Sequence, residues 1–520
     1  MVKIHFLVLV FILGPCVQGL KLLLVFPLPA RSHYILGNEL GKGLALQGHE
    51  VTMLSSFEEK NPPKGYEEIL LHELTDRQRL FSGSGQPNMF QMENASPYFQ
   101  AIFLTKIGDM FSDAFFNHST VQTLLNSERK FDVVIVEQFW NDAMKYLAHK
   151  FDAHLVAFST IGPNRWVNNL VGNPENPSYI PDLLLSFHSD MTFLERSYNL
   201  VFGLLNDLML YHYFYPQQDA ILHKYFPEAP ELDEIQYNVS LVLTNGHESI
   251  HPAVPHVPNM IDIGGFHVNP PEKLPKDLKE FLDGATDGVI YFSLGSNLKP
   301  SQMPQEKKDI LLKVLGARKE RVLWKWDEDQ LEGQPSNVKT SKWFPQQAIL
   351  AHPNCKLFIS HGGLLSLTET VYLGVPVLAF PIFGDQKLNA ARIRDKKFGL
   401  ALTFSQITEE NLIEALDELL SNPSYRENAR KCSDILHDRP MKPIQMADYW
   451  IRYVVKHKGA PHLRVAAIKL PLYKYYMLDL LAVGLICLGW VGLVIGYLTI
   501  KVVRLCCCKG RSKRDKKKND

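Results

Sequence analysis

FISHGGLLSLTETVYLGVPVLAFPIFGDQ, residues 358–386, is the stretch on which the fold turns. A short apolar run stops at His361-Gly362-Gly363, a segment of helical spacing follows, and a second apolar run ends before Asp385-Gln386. Short apolar runs joined by helical segments are the pattern of parallel strands buried on both faces. A strand that ends in His-Gly-Gly and turns into a helix leaves free backbone N–H groups at its tip. Glycine there permits a ligand to come close, and the helix start is electropositive. Two glycines alone serve any tight turn, but Ser293-Leu294-Gly295 ends an earlier apolar run in the same way, and Trp343-Phe344-Pro345-Gln346 precedes His361.

The same rhythm extends outward. Apolar runs at Leu22–Phe26, Val51–Ser55, Val133–Val136 and Leu155–Phe158 form one set. Val289–Ser293, Val322–Trp326, Leu357–Ser360, Val375–Pro381 and Leu400–Thr403 form another. Two such sets predict two α/β domains, with Pro270-Pro271-Glu272-Lys273-Leu274-Pro275 as the linker. Residues 97–125 and 187–216 break the rhythm. FLERSYNLVFGLLNDLMLYHYFYP, residues 193–216, is apolar and aromatic on most sides. It reads as a helix packed in the core or lid of the first domain, with an acceptor-lining or leaflet-dipping role left open.

The 520 residues are 46% hydrophobic and 21% charged, ordinary for a chain of two or three domains. Net charge is zero, yet residues 501–520 hold nine Lys/Arg against two Asp, so the tail is about +7 and the rest about −7. By charge, the body does not bind nucleic acid. At the start, Lys3, the apolar Ile4–Leu13 and the small residues around Val17-Gln18-Gly19 read as a cleavable signal, residues 1–19. Leu480 to Ile500 carries no charge over 21 residues, enough to cross a bilayer once. Tyr475 and Tyr476 before it, and Lys501 and Arg504 after it, place the tail in the cytoplasm. Cys355 and Cys432 are too few for a disulfide framework. Acceptor sequons stand at Asn94, Asn117 and Asn238, and Cys506-Cys507-Cys508 reads equally as an acylation site or an inert cluster.

The segment from Trp343 to Gln386 resembles the donor-binding signature of UDP-glycosyltransferases. The resemblance runs from about residue 20 through HDRPMKPIQMADYWIRYVVKHKGAPHLRVAA (437–467) to the tail. It implies an α/β fold of two facing Rossmann-like domains (GT-B type) plus a C-terminal transmembrane helix. The acceptor-binding domain is then 20–268 and the UDP-sugar-binding domain 269–455. A juxtamembrane segment 456–479, the span 480–500 and a basic tail 501–520 follow. Lys517-Lys518 near the terminus resembles a dilysine retrieval signal, so the expected location is the endoplasmic reticulum membrane, type I, with the catalytic part lumenal.

The same resemblance implies roles. Trp343 stacks on the uracil, Gln346 contacts the nucleoside, and Glu369 binds the ribose hydroxyls. Ser360, His361, Gly363 and Ser366 lie at or beside the diphosphate, with Ser293 and Gly295 as its other loop. Asp385 and Gln386 read the sugar. Leu365 stands where many relatives have asparagine, and HGGLLS is similar to invertebrate and insect-virus members. That leans the donor towards UDP-glucose over UDP-glucuronic acid.

KLLLVFPLPARSHYILGNELGKGLALQGHEVTML, residues 21–54, reads as strand, loop, helix, turn, strand, with His33 in the loop and His49 structural. The resemblance makes His33 the general base, since an imidazole can take a hydroxyl proton near neutral pH. Its partner is expected to be Glu137, where many relatives have aspartate, with a structural or acceptor-binding role for Glu137 left open. Transfer would be a one-step inverting displacement on a small lipophilic acceptor. No cofactor or metal is expected, and Asp327-Glu328-Asp329 reads as a solvated turn. Membrane lipid is a further expected partner, and homo-oligomers are left open. UDP-glucuronosyl transfer, C-glycosylation of an aromatic acceptor and a catalytically silent lipophile-binding protein remain as alternatives.

Overall fold

The computed structural model describes residues 19–75 and 88–516. They fall into two compact units, one ending at Arg464 and one beginning at Val465. Residues 1–18 of the expected signal and the Lys517-Lys518 pair lie outside the described residues.

The first unit is built on two parallel sheets. The first holds β1 (Lys21–Phe26), β2 (Glu50–Ser55), β3 (Tyr66–Leu70), β4 (Val133–Glu137), β5 (His154–Ser159), β6 (Val239–Thr244) and β7 (Met260–Asp262), in the order β3-β2-β1-β4-β5-β6-β7. The second holds β8 (Val289–Ser293), β9 (Arg321–Lys325), β10 (Val338–Ser341), β11 (Cys355–Ser360), β12 (Val377–Ala379) and β13 (Gly399–Ala401), in the order β10-β9-β8-β11-β12-β13. The central strands are buried throughout, as for VVIVE in β4 and VIYFS in β8. That is why they read as unbroken apolar runs.

In each sheet the order reverses once, between β1 and β4 in the first and between β8 and β11 in the second. Loops leaving the carboxyl ends of two such strands diverge to opposite faces and leave a crevice, the usual ligand position in an open α/β sheet. His33, expected in a loop, stands instead in the first turn of the helix Arg31–Leu46 that follows β1, and Glu137 ends β4. Ser293 ends β8 and His361 follows β11. Both sets of candidate residues thus fall at switch points.

Packing departs from the linear division of the chain in two places. The helix Pro443–Lys456 follows the second sheet in sequence, yet its Ala447, Ile451 and Val454 join the apolar cluster of the first sheet. His49 fixes that crossing by contacting Asp448 through Nε2 and accepting the Leu20 N–H at Nδ1, 3.0 Å away. In the other direction, Phe90 lies in the core of the second sheet. Glu93 accepts from Ser405 N–H at 2.9 Å, and Gln100 accepts from Gly384 N–H at 3.1 Å.

The helices of the first unit include α1 (Arg31–Leu46), α2 (Pro97–Asn117) and α3 (Phe193–Met209). The segment 193–216 is helical, as expected, and of the two expected places, core or lid, it is not enclosed in the core. The segment is α3 followed by a π-helical turn, and many of its apolar side chains face outward. A helix buries an apolar stripe only when something covers it, and nothing among the described residues of the first unit covers this one.

The second unit contains the helix Leu478–Lys516, longer than the expected span because it continues into the basic segment. Its Leu478–Cys506 part is long and apolar enough to cross a membrane, which fits anchoring.

Candidate functional site

One cleft gathers the candidate residues of both sheets. His33 lines it from the first sheet; Ser293, Gly295, Trp343, Gln346, His361, Gly363, Ser366, Glu369, Asp385 and Gln386 line it from the second. Glu137 and Ser360 stand one layer behind.

On the first-sheet side, His33 Nδ1 is hydrogen-bonded to Glu137 Oε1, and the Glu137 side chain is 1% exposed. Glu137 is the last residue of β4 and reaches the imidazole from the strand end. Phe139 packs edge-on against the imidazole at 4.6 Å between centroids, and Thr160 Oγ1 lies 3.5 Å from Nδ1. With Nδ1 engaged, Nε2 is the nitrogen left for the cleft. Leu104, Trp140, Leu183 and Leu184 supply an apolar wall on this side.

On the second-sheet side, the two glycine loops meet around one ring. Gly295 has φ +78°, and a Cβ there would stand 2.7 Å from His361 Cε1. A Cβ at Gly363 would likewise strike the same imidazole. The glycines therefore make the slot in which His361 lies. Burial and then the nearby Lys325 ammonium pull the His361 pKa down to about 4, so the ring is neutral at physiological pH. Ser360 is buried and braces the loop by accepting the Gly362 N–H at 3.2 Å.

The helix α4 (Leu364–Tyr372) starts at Gly363 and presents its first N–H groups beside the cleft. Leu365 packs against the apolar cluster of the first sheet and helps to join the two halves. Glu369, 4% exposed, is held by Gln347 Nε2 at 2.8 Å and by Gln346 Nε2. Gln346 also donates to Ser366 Oγ at 3.1 Å and accepts from Tyr291 OH at 3.1 Å. Burial raises the Glu369 pKa against these hydrogen bonds.

The Asp385-Gln386 pair opens the helix α5 (Gln386–Asp395), with Asp385 as its N-cap residue. Gln386 Oε1 accepts from Ile382 N–H at 2.8 Å and Phe383 N–H at 3.0 Å, closing the loop and leaving the amide nitrogen available. Burial raises the Asp385 pKa, and Asn389 Nδ2 donates to its Oδ2 at 2.7 Å.

Three residues of the site escaped the sequence reading. Lys325 ends β9, donates to Gly295 O at 2.9 Å and places Nζ 4.5 Å from the Trp343 ring centroid. Arg31 opens α1 and places Cζ 5.7 Å from the same ring. Asn389 lies one turn into α5. The charged end of the buried run VLWK was the available signal for Lys325. Two cations on one half-exposed indole, beside a ring of N–H donors, form an electropositive end suited to an anion.

Asp327 instead accepts from Ser301 N–H and Oγ–H at 2.9 and 2.7 Å, and Asp329 pairs with Lys342 at 2.6 Å. Among the described residues no group of three or more His, Cys, Asp or Glu could hold a metal ion. Asn94, Asn117 and Asn238 are all exposed, and Asn238 Oδ1 accepts from Arg464 at 2.7 Å.

The family model described as UDP-glucoronosyl and UDP-glucosyl transferase matches residues 22–517. The UDP-glycosyltransferase UGT5 of Dactylopius coccus is 37% identical, covering 91% of this chain and 90% of its own. The UDP-glucosyltransferase 2 of the same insect is 33% identical over 89% of each chain. Among solved structures, the glycotransferase of kitacinnamycin aligns with a TM-score of 0.56 at 18% identity, over 84% of this chain and 100% of that one, a likeness of fold. With two parallel sheets of the GT-B arrangement and a match over nearly its whole length, the chain belongs to the UDP-glucoronosyl and UDP-glucosyl transferase family and is a UDP-glycosyltransferase.

Proposed function

We propose that this enzyme moves glucose from UDP-glucose to a small lipophilic acceptor with inversion, His33 acting as general base. The observation that carries the reading is the His33–Glu137 contact, which leaves Nε2 on the cleft wall opposite the Ser293 and His361 loops. Nε2 takes the acceptor proton as the oxygen attacks the anomeric carbon, and Glu137 stabilises the imidazolium that forms. UDP leaves from the opposite face, towards the α4 N–H groups, neutral His361 and the two cations Lys325 and Arg31. Trp343 stacks on the uracil, Gln346 and Glu369 hold the nucleoside, and Asp385 and Gln386 hold the sugar hydroxyls. A carboxylate at the sugar end, with Lys325 and Arg31 at the Trp343 end, supports a neutral hexose over a hexuronate. The name of the glucosyltransferase relative supports the same donor.

In the same proposal the catalytic unit lies in the endoplasmic reticulum lumen, delivered by the 1–19 signal and anchored by the C-terminal helix, with sugars on the three exposed sequons. The deciding assay offers UDP-glucose, UDP-glucuronic acid, UDP-galactose and UDP-N-acetylglucosamine to microsomes carrying the protein, with chelator, against phenols, anthraquinones and steroids. Glucoside formation in chelator is the expected result, because Lys325, Arg31 and backbone N–H groups supply the positive field at the diphosphate. Products from UDP-glucuronic acid alone would overturn the donor. Donor binding without any product would favour a silent protein.

Donor binding should also depend on pH through Lys325. Burial, then Arg31, lowers its pKa to about 8, and Asp327 opposes the shift. A bound diphosphate favours the ammonium and raises that pKa, so binding takes up a proton once the free lysine has lost it. UDP-glucose affinity should be flat below pH 8 and fall above it, by at most about tenfold per pH unit for one proton. Lys325→Arg keeps its charge throughout and should flatten the profile; the nucleotide's own ionisation is common to both proteins. Identical profiles would remove Lys325 from the diphosphate.

A further inference from the structure

Near the start of α2 an amide, Gln100, is 2% exposed, in a helix whose other buried residues are apolar or small. A buried amide is costly unless its oxygen and nitrogen find partners. Gln100 Nε2 donates to Ala95 O at 3.1 Å, within its own segment. Its Oε1 accepts the Gly384 N–H at 3.1 Å, from the other half of the first unit. Gly384 is the residue before Asp385.

Residues 382–386 carry the chain from β12 into α5. Gln386 Oε1 closes the Ile382 and Phe383 N–H groups from within this loop. The next N–H, of Gly384, is taken instead by Gln100. Lys387, just past the Asp385-Gln386 pair, is held from the same quarter, for its Nζ donates to Glu93 O at 2.6 Å. Both ties that flank the pair therefore come from residues 93–100.

That segment is fixed at both ends. Before it, the Phe90 ring packs on Phe404 at 4.9 Å between centroids, in the core of the second sheet. Beyond it, Ser112 Oγ donates to Gln218 Oε1 at 2.8 Å and Phe116 packs on Phe226, both in the first half. Gln100, Leu104 and Gly108 are spaced by four and so share one face of α2. Leu104 lines the cleft, and a Cβ at Gly108 would stand 2.1 Å from Trp140 O, which belongs to the apolar wall. One helix face thus meets the loop before α5, the cleft and the wall of the opposite half.

We propose that Gln100 is a positioning residue for the transferred sugar. Through the Gly384 N–H it fixes the orientation in which Asp385 and Gln386 face the cleft. The choice of sugar is then set in part by the half of the unit that supplies the apolar wall. Trp343 and His361 stand on other loops, so the hold on the nucleotide is independent of this tie. The inference rests on the reading of Asp385 and Gln386 as the groups that hold the sugar hydroxyls.

The test titrates the full chain in detergent with UDP and with UDP-glucose by calorimetry, and reads the ratio of the two affinities. Gln100→Met keeps the length of the side chain and removes the acceptor. UDP affinity should stay within about twofold, while UDP-glucose affinity relative to UDP should fall about tenfold, the scale of one donor left without its partner. Gln100→Glu retains an oxygen for the Gly384 N–H and should recover most of the ratio. Asp385→Ala is the reference for a lost sugar contact. A normal ratio in Gln100→Met beside a reduced one in Asp385→Ala would overturn the positioning role and leave the sugar reading intact. A normal ratio in both would sink the sugar reading, and the proposal with it. Equal losses of UDP and UDP-glucose would make Gln100 a structural support only. Should Gln100→Met fail to fold, Lys387→Met releases the same loop from its other side and is read in the same way.

Discussion

Replacing His33 by alanine is expected to lower kcat for sugar transfer by about 10²–10⁴-fold and to leave UDP-glucose affinity unchanged. Among the described residues, the hydrogen-bond and ring partners of the imidazole are Glu137, Thr160 and Phe139, all at the ends of first-sheet strands or just beyond them. Its loss therefore removes proton transfer and little else. Glu137→Gln is the companion test. It preserves volume at a position 1% exposed but withdraws the charge that stabilises the imidazolium and fixes its tautomer, for which the loss can approach about 10⁴-fold. Glu137→Asp keeps the charge and shortens the side chain by a methylene, so it should lose the contact with Nδ1 and recover only part of the rate. A thermal scan and a UDP-glucose titration show whether each variant is folded and binds donor. A His33→Ala enzyme within tenfold of wild type would remove His33 as the base, and Glu137 with it.

How far the sequence could be read depends on how each strand is covered. β4 and β8 lie in mid-sheet with both faces packed, so every residue before the terminal Glu137 and Ser293 is apolar or aromatic and the run announces itself. β3 and β10 are edge strands. In β3, YEEIL carries Glu67 and Glu68 because only part of it is covered, and adjacent acids hid the strand. VSLVLT in β6 is fully buried yet was missed, since Ser240 interrupts its run and it follows directly on the irregular 187–238 segment. The site divides along similar lines. Residues on the glycine loops were legible because backbone approach restricts what can stand there. Glu137 was reached through the family resemblance. Arg31 became a site residue only because the first sheet's loop reaches Trp343 on the second, a tertiary fact with no local sign. Which side of α3 the protein covers was not legible for a related reason. Periodicity shows that a helix has two faces but not which one the protein covers, and here buried asparagines with backbone partners decide it.

Asn389 illustrates what spacing cannot show and carries the second large expectation. Its side chain is fully buried and serves three groups at once. Nδ2 donates to Asp385 Oδ2 at 2.7 Å and to Gly362 O at 2.9 Å, while Oδ1 accepts from Arg392 Nη1 at 2.9 Å. One amide thus ties the His-Gly-Gly loop to Asp385 and gives a partner to a buried guanidinium whose pKa is already lowered to about 10 by burial. Asn389→Leu keeps the volume and strands all three partners, which should destabilise the donor half by about 3–5 kcal/mol. The UDP-glucose KM should rise in the same variant, because both loops lose their common brace. Asn389→Asp restores a partner for Arg392 but sets two carboxylates side by side, raising their pKa values above the unfolded ones. A raised folded pKa gives stability that is present at low pH and lost as pH rises through it. The aspartate variant should therefore melt nearest to wild type under acid conditions and fall behind towards neutrality, whereas the leucine variant carries its deficit at every pH. Parallel curves for the two variants would mean that Asp385 and residue 389 do not share a proton, and that the brace acts by shape alone.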